Sequence, residues 1–239
     1  MCKTALVGQG MPRAGVERLE SLGYTVLLLP THPHLSAPVA DHPDTLIFRY
    51  QSTLVTGSFY RELSADLFDR LLSRHRSLSL LCDSTDARSP YPFDVRFNAV
   101  TVSGHLFGNL GHLSDLLLSY ADDHALSVHH VAQGYAGCSA FALDSLVCSA
   151  DVGILRAAAE VGLPTLPIRT GGVLLPPFPY GFIGGAVAVT RDTVYTCGAL
   201  SAHPDAVRIT DAITASGRRT VPLFDGPLLD VGGFLLFDE

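Results

Sequence analysis

The chain has 239 residues, of which 47% are apolar and 16% charged, against about 25% charged in an average globular chain. That balance excludes a disordered chain and predicts a large buried core. Sixteen basic side chains face 23 acidic ones, and the net charge of −7 excludes nucleic acid and anionic membranes as main partners, because both require a basic footprint.

The elements read off in chain order fall into a repeated pattern. Thr4–Val7 offers a strand, residues 13–22 carry apolar positions at helical spacing, and residues 25–29 offer a second strand. Residues 45–57 read TLIFRYQSTLVTG, two β-prone runs around a polar centre, which predicts a hairpin. Leu63, Leu67, Leu71 and Leu72 follow on one helical face, then an apolar run at 78–81. The same succession returns from Asn98, where AVTV and LFGN flank Ser103-Gly104-His105, followed by Leu113, Leu116, Leu117 and Tyr120 and the run 128–131. It returns from Ser139, with AFAL and LVCSA around Asp144-Ser145, then Ile154, Ala157, Ala158 and Val161 and the run 165–168. It returns once more from Gly185, with AVAV and TVYTCG around Thr190-Arg191-Asp192, then Ala206, Ile209 and Ile213 and the run 221–224.

Each unit is therefore hairpin, helix, strand. A fifth is split by the chain ends, with Gly233–Phe237 supplying the strand that Thr4–Val7 lacks. The expected fold is α/β: a five-fold pseudosymmetric ββαβ propeller, one domain, closed by pairing of the N- and C-terminal strands. Its units are residues 1–43 with 232–239, 44–83, 96–131, 138–168 and 182–224. Closure hides sheet edges that an open array would expose. Such a ring also gathers equivalent loops at one end of its axis, which is a natural pocket.

Five ββαβ units in a ring resemble the pentein superfamily, whose members include arginine and agmatine deiminases, dimethylarginine hydrolases, amidinotransferases and the non-enzymatic ribosomal anti-association factors. The runs Gln133–Ser139 and Tyr180–Ala186 further resemble an uncharacterised bacterial group of this fold. The resemblance implies two signatures. His42-Pro43-Asp44 before an apolar run is similar to the His-x-Asp segment in which the His is an acid/base and the Asp grips a guanidinium. Gly232-Gly233 and the strand after it are similar to the segment that carries the nucleophilic cysteine, but Leu235 and Leu236 stand where that cysteine is expected. A leucine cannot act as a nucleophile, so the usual thiouronium chemistry has no route through the tail.

His42, Asp44 and Cys138 are the catalytic candidates. His42 and Asp44 read equally as a turn before a strand, with Pro fixing φ and Asp accepting local backbone bonds, and a second His-Pro-Asp at 203–205 opens a helix. Cys138 reads equally as a small buried apolar residue. Asp94, Arg96 and Asn98, Gln133 and Tyr135, and Tyr180 lie in the loops before the third, fourth and fifth hairpins and are the ligand-binding candidates. Asp151 joins them, although its place before a helix also fits an N-cap. The expected ligand is a small guanidine, amidine or amino-acid-like compound. The alternative is a non-catalytic binding protein on the same ring.

Several chemistries are not expected. Gly8, Gly10 and Gly15 do not follow the dinucleotide spacing, and Pro30-Thr31 stands where the ribose-binding acid would be, which disfavours a doubly wound nucleotide fold. No Cys-x-x-Cys or His-x3-His occurs, so neither metal nor cofactor is predicted. The apolar stretch 171–190 is broken by Pro176, Pro177 and Pro179 and does not read as a membrane span. Five cysteines, an odd number without a leader pattern, predict a reduced cytoplasm, with Cys82, Cys148 and Cys197 in the core and Cys2 at the seam. The basic clusters Arg74-His75-Arg76 and Arg218-Arg219 read as solvated surface. A homo-oligomer is left open.

Overall fold

Short β-prone runs joined by tight polar turns fold as hairpins when left-handed residues are available at the bend. The computed structural model describes residues 3–238, so Cys2 lies outside the described residues. Gln51, Ser103 with Gly104, and Asp144 take positive φ at three of the bends. Five three-stranded sheets result. The first joins Leu235–Asp238, Lys3–Gly8 and Thr25–Leu29; the second Ile47–Tyr50, Thr53–Gly57 and Ser79–Asp83; the third Val100–Val102, His105–Gly108 and Ser127–His130. The fourth joins Ala140–Leu143, Leu146–Ser149 and Thr165–Pro167, and the fifth Val187–Val189, Thr193–Thr196 and Arg219–Pro222.

In every sheet the leading strand pairs antiparallel with the middle one, and the last strand pairs parallel with it. The parallel step requires a crossover, and a helix supplies it: Arg13–Ser21, Ala65–Arg74, Asp115–Asp123, Val152–Glu160 and Ala206–Ala215. Ser114 and Asp151 cap two of these, accepting from Leu117 N at 3.1 Å and Ile154 N at 2.9 Å. Each helix buries an apolar stripe such as Phe68 and Leu71, Leu117 and Ala121, or Ile209 and Ile213. The seam pairing spans Lys3 opposite Asp238 to Leu6 opposite Leu235. One parallel pair was not foreseen, Val173–Leu174 with Leu228–Leu229, which ties the loops before and after the fifth unit. Separate small sheets with antiparallel hairpins replace the single doubly wound sheet considered as an alternative.

Polar and aromatic contacts join the sheets in sequence. His75 is fully buried and its Nε2 lies 2.8 Å from Thr4 Oγ1, while Arg74 donates to Thr25 Oγ1 at 2.7 Å. Arg49 stacks over Phe237 at 4.3 Å. Asn98 bonds the second unit, Ser103 bonds Asp144 O of the fourth, and Arg218 pairs with Asp144 at 2.7 Å from the fifth. Tyr24 of the first unit meets Tyr195 of the fifth edge-on at 6.1 Å. These contacts correct two expectations. The clusters at Arg74-His75 and Arg218 are joints between units, because their hydrogen-bond donors satisfy acceptors on neighbouring sheets. Cys82 is exposed, because it sits on an outer strand where alternate residues face away from the core. Among the described residues, no helix is long and apolar enough to cross a membrane.

Candidate functional site

The five leading strands share a cavity of about 700 Å³, which has wall residues from each of them, Val100, Ala140 and Val187 among others. A volume of that order lies within the range of about 300–1,000 Å³ that small-molecule sites occupy. The segments that precede the leading strands add Asp44, Gly137, Gly184 and Gly232 to its wall. Three of them are short turns: Pro43–Leu46 and Ala136–Ser139 are single helical turns, and Gly184–Ala186 is a 3-10 turn. Pro43 at the first helical position has the φ that such a turn needs.

Glycine lets the turns meet. A Cβ on Gly184 would lie 2.4 Å from the carbonyl oxygens of Gly137 and Ala140 and 2.6 Å from that of Cys138. Gly232, at φ +73°, packs against His42, where a Cβ would lie 2.3 Å from the His42 Cβ. Asp44 N donates to Gly232 O at 3.0 Å, which fixes the second unit against the seam.

On this frame three candidates come together. The Cys138 thiol donates to Asp44 Oδ2 at 2.7 Å. Asn98 Nδ2 donates to Cys138 Sγ and to Asp44 O, each at 3.1 Å, while its Oδ1 accepts from Gly137 N at 2.7 Å. His42 lies beside them, with Nδ1 3.9 Å from Asp230 Oδ1. Asp230 is buried and accepts from Phe182 N at 2.8 Å and Gly232 N at 3.0 Å. Sequence reasoning missed Asp230. It stands two residues before Gly232, as His42 stands before Asp44, but Arg96 before Asn98 and Ala136 before Cys138 have unrelated chemistry, so the repeat carries no signal for a carboxylate there.

One half-buried carboxylate, Asp44, and one buried one, Asp230, therefore sit near one thiol. Burial pushes Asp44 up to about 6, the proximity of His42 pulls it down, and Asp230 pushes it up again. Burial raises Asp230 as well, against a lowering by His42 and by its backbone bonds. Burial first, then the charges of Asp44 and Asp230, hold the Cys138 thiol well above its ordinary range. Asp44 lines the cavity and Asn98 and Cys138 are buried behind it. No group of three or more metal-binding side chains occurs among the described residues.

The other candidates lie apart from this cluster. Asp94 is buried, accepts from Tyr135 Oη at 2.6 Å, and leaves its Oδ1 without a hydrogen-bond partner among the described residues. Arg96 turns to the buried Asp83 at 3.6 Å. Gln133 donates to Asp151 Oδ2 at 3.1 Å, and with Tyr180 these two line a second, smaller cavity. At the Gly8 turn, Asp41 Oδ2 accepts from Gly10 N at 2.6 Å, so a carboxylate fills the place a nucleotide phosphate would need.

A model of a family of unknown function, DUF6873, matches residues 6–235. No curated protein sequence matches the chain. Among solved structures, a dimethylarginine dimethylaminohydrolase in adduct with a chlorinated hydroxymethylpyridine is similar at a TM-score of 0.56 and 12% identity, over 99% of this chain and 100% of that one. An agmatine deiminase from C. jejuni is similar at 0.55 and 8% identity, over 92% and 87%. An amidinotransferase from Microseira wollei, of the saxitoxin pathway, is similar at 0.52 and 12% identity, over 90% and 77%. At such identities the likeness is one of fold: an α/β, pentein-like chain.

Proposed function

Because the chain belongs to the family of unknown function DUF6873, its role has to be read from its own side chains, and we propose that it is a pentein-type protein of the cytoplasm that binds a small guanidinium or amidinium compound at the Asp44 cluster. We take the five sheets as blades of one ring in a single domain. The seam pairing, the contacts from each unit to the next and from the fifth back to the first, and the cavity shared by all five leading strands support that reading.

One observation carries the ligand class. Asp44, half-buried on the cavity wall, and the buried Asp230 have His42, among the described residues, as the nearby group able to carry positive charge. Two partly uncompensated anions in a desolvated site cost free energy that a bound cation offsets. A planar guanidinium has the fork of donors that a carboxylate accepts in pairs. The likeness of the fold to guanidine-modifying enzymes points the same way.

Binding without turnover follows from the tail, where Leu235 and Leu236 supply no thiol. A second reading, thiol catalysis, is favoured by the 2.7 Å contact of Cys138 with Asp44. In that chemistry Sγ bonds the guanidinium carbon, Asp44 takes the thiol proton and returns it to the departing amine, and water then cleaves the S–C bond. The bound cation would itself favour the thiolate by opposing the two carboxylates.

The test is thermal unfolding of the purified protein with agmatine and methylguanidine, guanidinium compounds that carry no carboxylate, beside neutral urea. The cations raise the melting temperature, by about 2.7 kcal/mol of stabilisation at a hundredfold excess over the dissociation constant, and urea does not. Asp44→Ala abolishes the shift. A well-folded sample that responds to none of the cations refutes the proposal. Release of amine or ammonia, lost in Cys138→Ser with binding retained, establishes the second reading.

A further inference from the structure

Ser139 belongs to the same turn as Cys138 but serves a different cavity. Its side chain is 3% exposed, and its hydroxyl has no hydrogen-bond partner among the described residues. It lines a pocket of about 180 Å³ between the fourth unit and the loop that leads to the fifth. At about 30 Å³ for each water in the liquid, that space holds about six waters or a molecule of similar bulk. A buried hydroxyl left unpaired is costly, and Ser139 is one of the residues in the wall of this pocket.

The charged lining is balanced. Among the described residues the pocket has one acid, Asp151, and one base, Arg169. The Asp151 oxygens each accept one hydrogen bond, from Ile154 N and Gln133 Nε2, and a carboxylate has lone pairs for more. Arg169 is anchored by Asp205 at 3.2 Å yet keeps two-thirds of its side chain exposed. His203 adds no charge at neutral pH, because burial lowers it from its ordinary value. A lone anion would therefore meet Asp151 and a lone cation would meet Arg169. A small molecule bearing both charges meets a complementary group at each end.

We propose that this pocket is a second binding site, independent of the Asp44 cluster, for a small zwitterion of the α-amino-acid class. Its ammonium faces Asp151, its carboxylate faces Arg169, and it engages the Ser139 hydroxyl.

The experiment is calorimetry and thermal unfolding of the full chain with glycine, alanine and serine at millimolar concentrations, beside acetate and methylamine as single-charge controls. The amino acids bind and raise the melting temperature, and the controls do not. Ser139→Ala weakens binding about fivefold, the effect of one hydrogen bond. Asp151→Asn preserves the helix cap but removes the charge, and it weakens binding further. Retention of amino-acid binding in Asp44→Ala separates this site from the one proposed above; loss of it there assigns the binding to the Asp44 cluster and overturns the second site. Equal shifts from acetate, or no response to the amino acids in a folded sample, overturn it too, whether or not agmatine binds. Arg169→Gln removes the partner of the carboxylate and weakens binding as well; should that variant fail to fold, Ser139→Ala and Asp151→Asn still decide the question.

Discussion

At the scale of the residue, Asp44 makes stability depend on pH. Its carboxyl titrates at about 6 in the folded chain, against an ordinary value of 3.8. Between those values the folded state holds a proton that the unfolded state has released, so stability falls as pH rises through that window. Above pH 6 the full penalty is present, about two pH units at about 1.4 kcal/mol each, or about 3 kcal/mol. Asp44→Asn removes the charge and keeps an acceptor for the Cys138 thiol. It is expected to raise the melting temperature of the ligand-free protein at pH 8 and to leave it nearly unchanged at pH 4, in scans of both variants across that range. Cation binding runs the other way, since it needs the carboxylate and fades as pH falls through 6. A variant equally stabilised at pH 4 and pH 8 would show that Asp44 is not the titrating group.

At the scale of the element, the turns before the leading strands decide which side chains meet. The strands were legible from alternation and the helices from Leu and Ile spacing, because both periods repeat over several residues. The turns Pro43–Leu46 and Ala136–Ser139 are too short to show a period, so the pairing of Cys138 with Asp44 could not be read. His42 and Asp44 were legible only through a resemblance, and Asp230 was hidden beside Gly232-Gly233, where attention goes to the strand that follows and its missing cysteine. In the structure that segment is tightly packed. Gly184→Ala places a methyl against three backbone carbonyls that no side-chain rotation can clear. It is expected to cost about 3 kcal/mol or more in denaturant unfolding. A loss under about 1 kcal/mol would mean that the turns have room to separate.

At the scale of the whole molecule, the ring reading makes the chain ends equivalent to a missing hairpin bend. Lys3 stands opposite Asp238 in the antiparallel seam, the relation Val102 has to His105 across Ser103-Gly104. Sequence repetition made this legible, because the leading and middle strands of one sheet lie at opposite ends of the chain and only the pattern of the other four units says that they belong together. A permuted chain tests it. Asp238 is joined to Lys3 through Asn-Gly, whose left-handed conformations suit a two-residue hairpin, and the chain is opened between Ser103 and Gly104. If the five units are blades of one ring, the permutant keeps every sheet and helix and loses only one turn. It is expected to unfold in one cooperative transition, with the far-ultraviolet dichroism of the parent and with its response to guanidinium compounds intact. Opening inside Ala140–Leu143 instead cuts a strand that lines the shared cavity, and that permutant is expected to lose both cooperativity and binding. A first permutant that fails to fold while the second succeeds would place the structural seam elsewhere than between Lys3 and Asp238, and the ring would have to be redrawn.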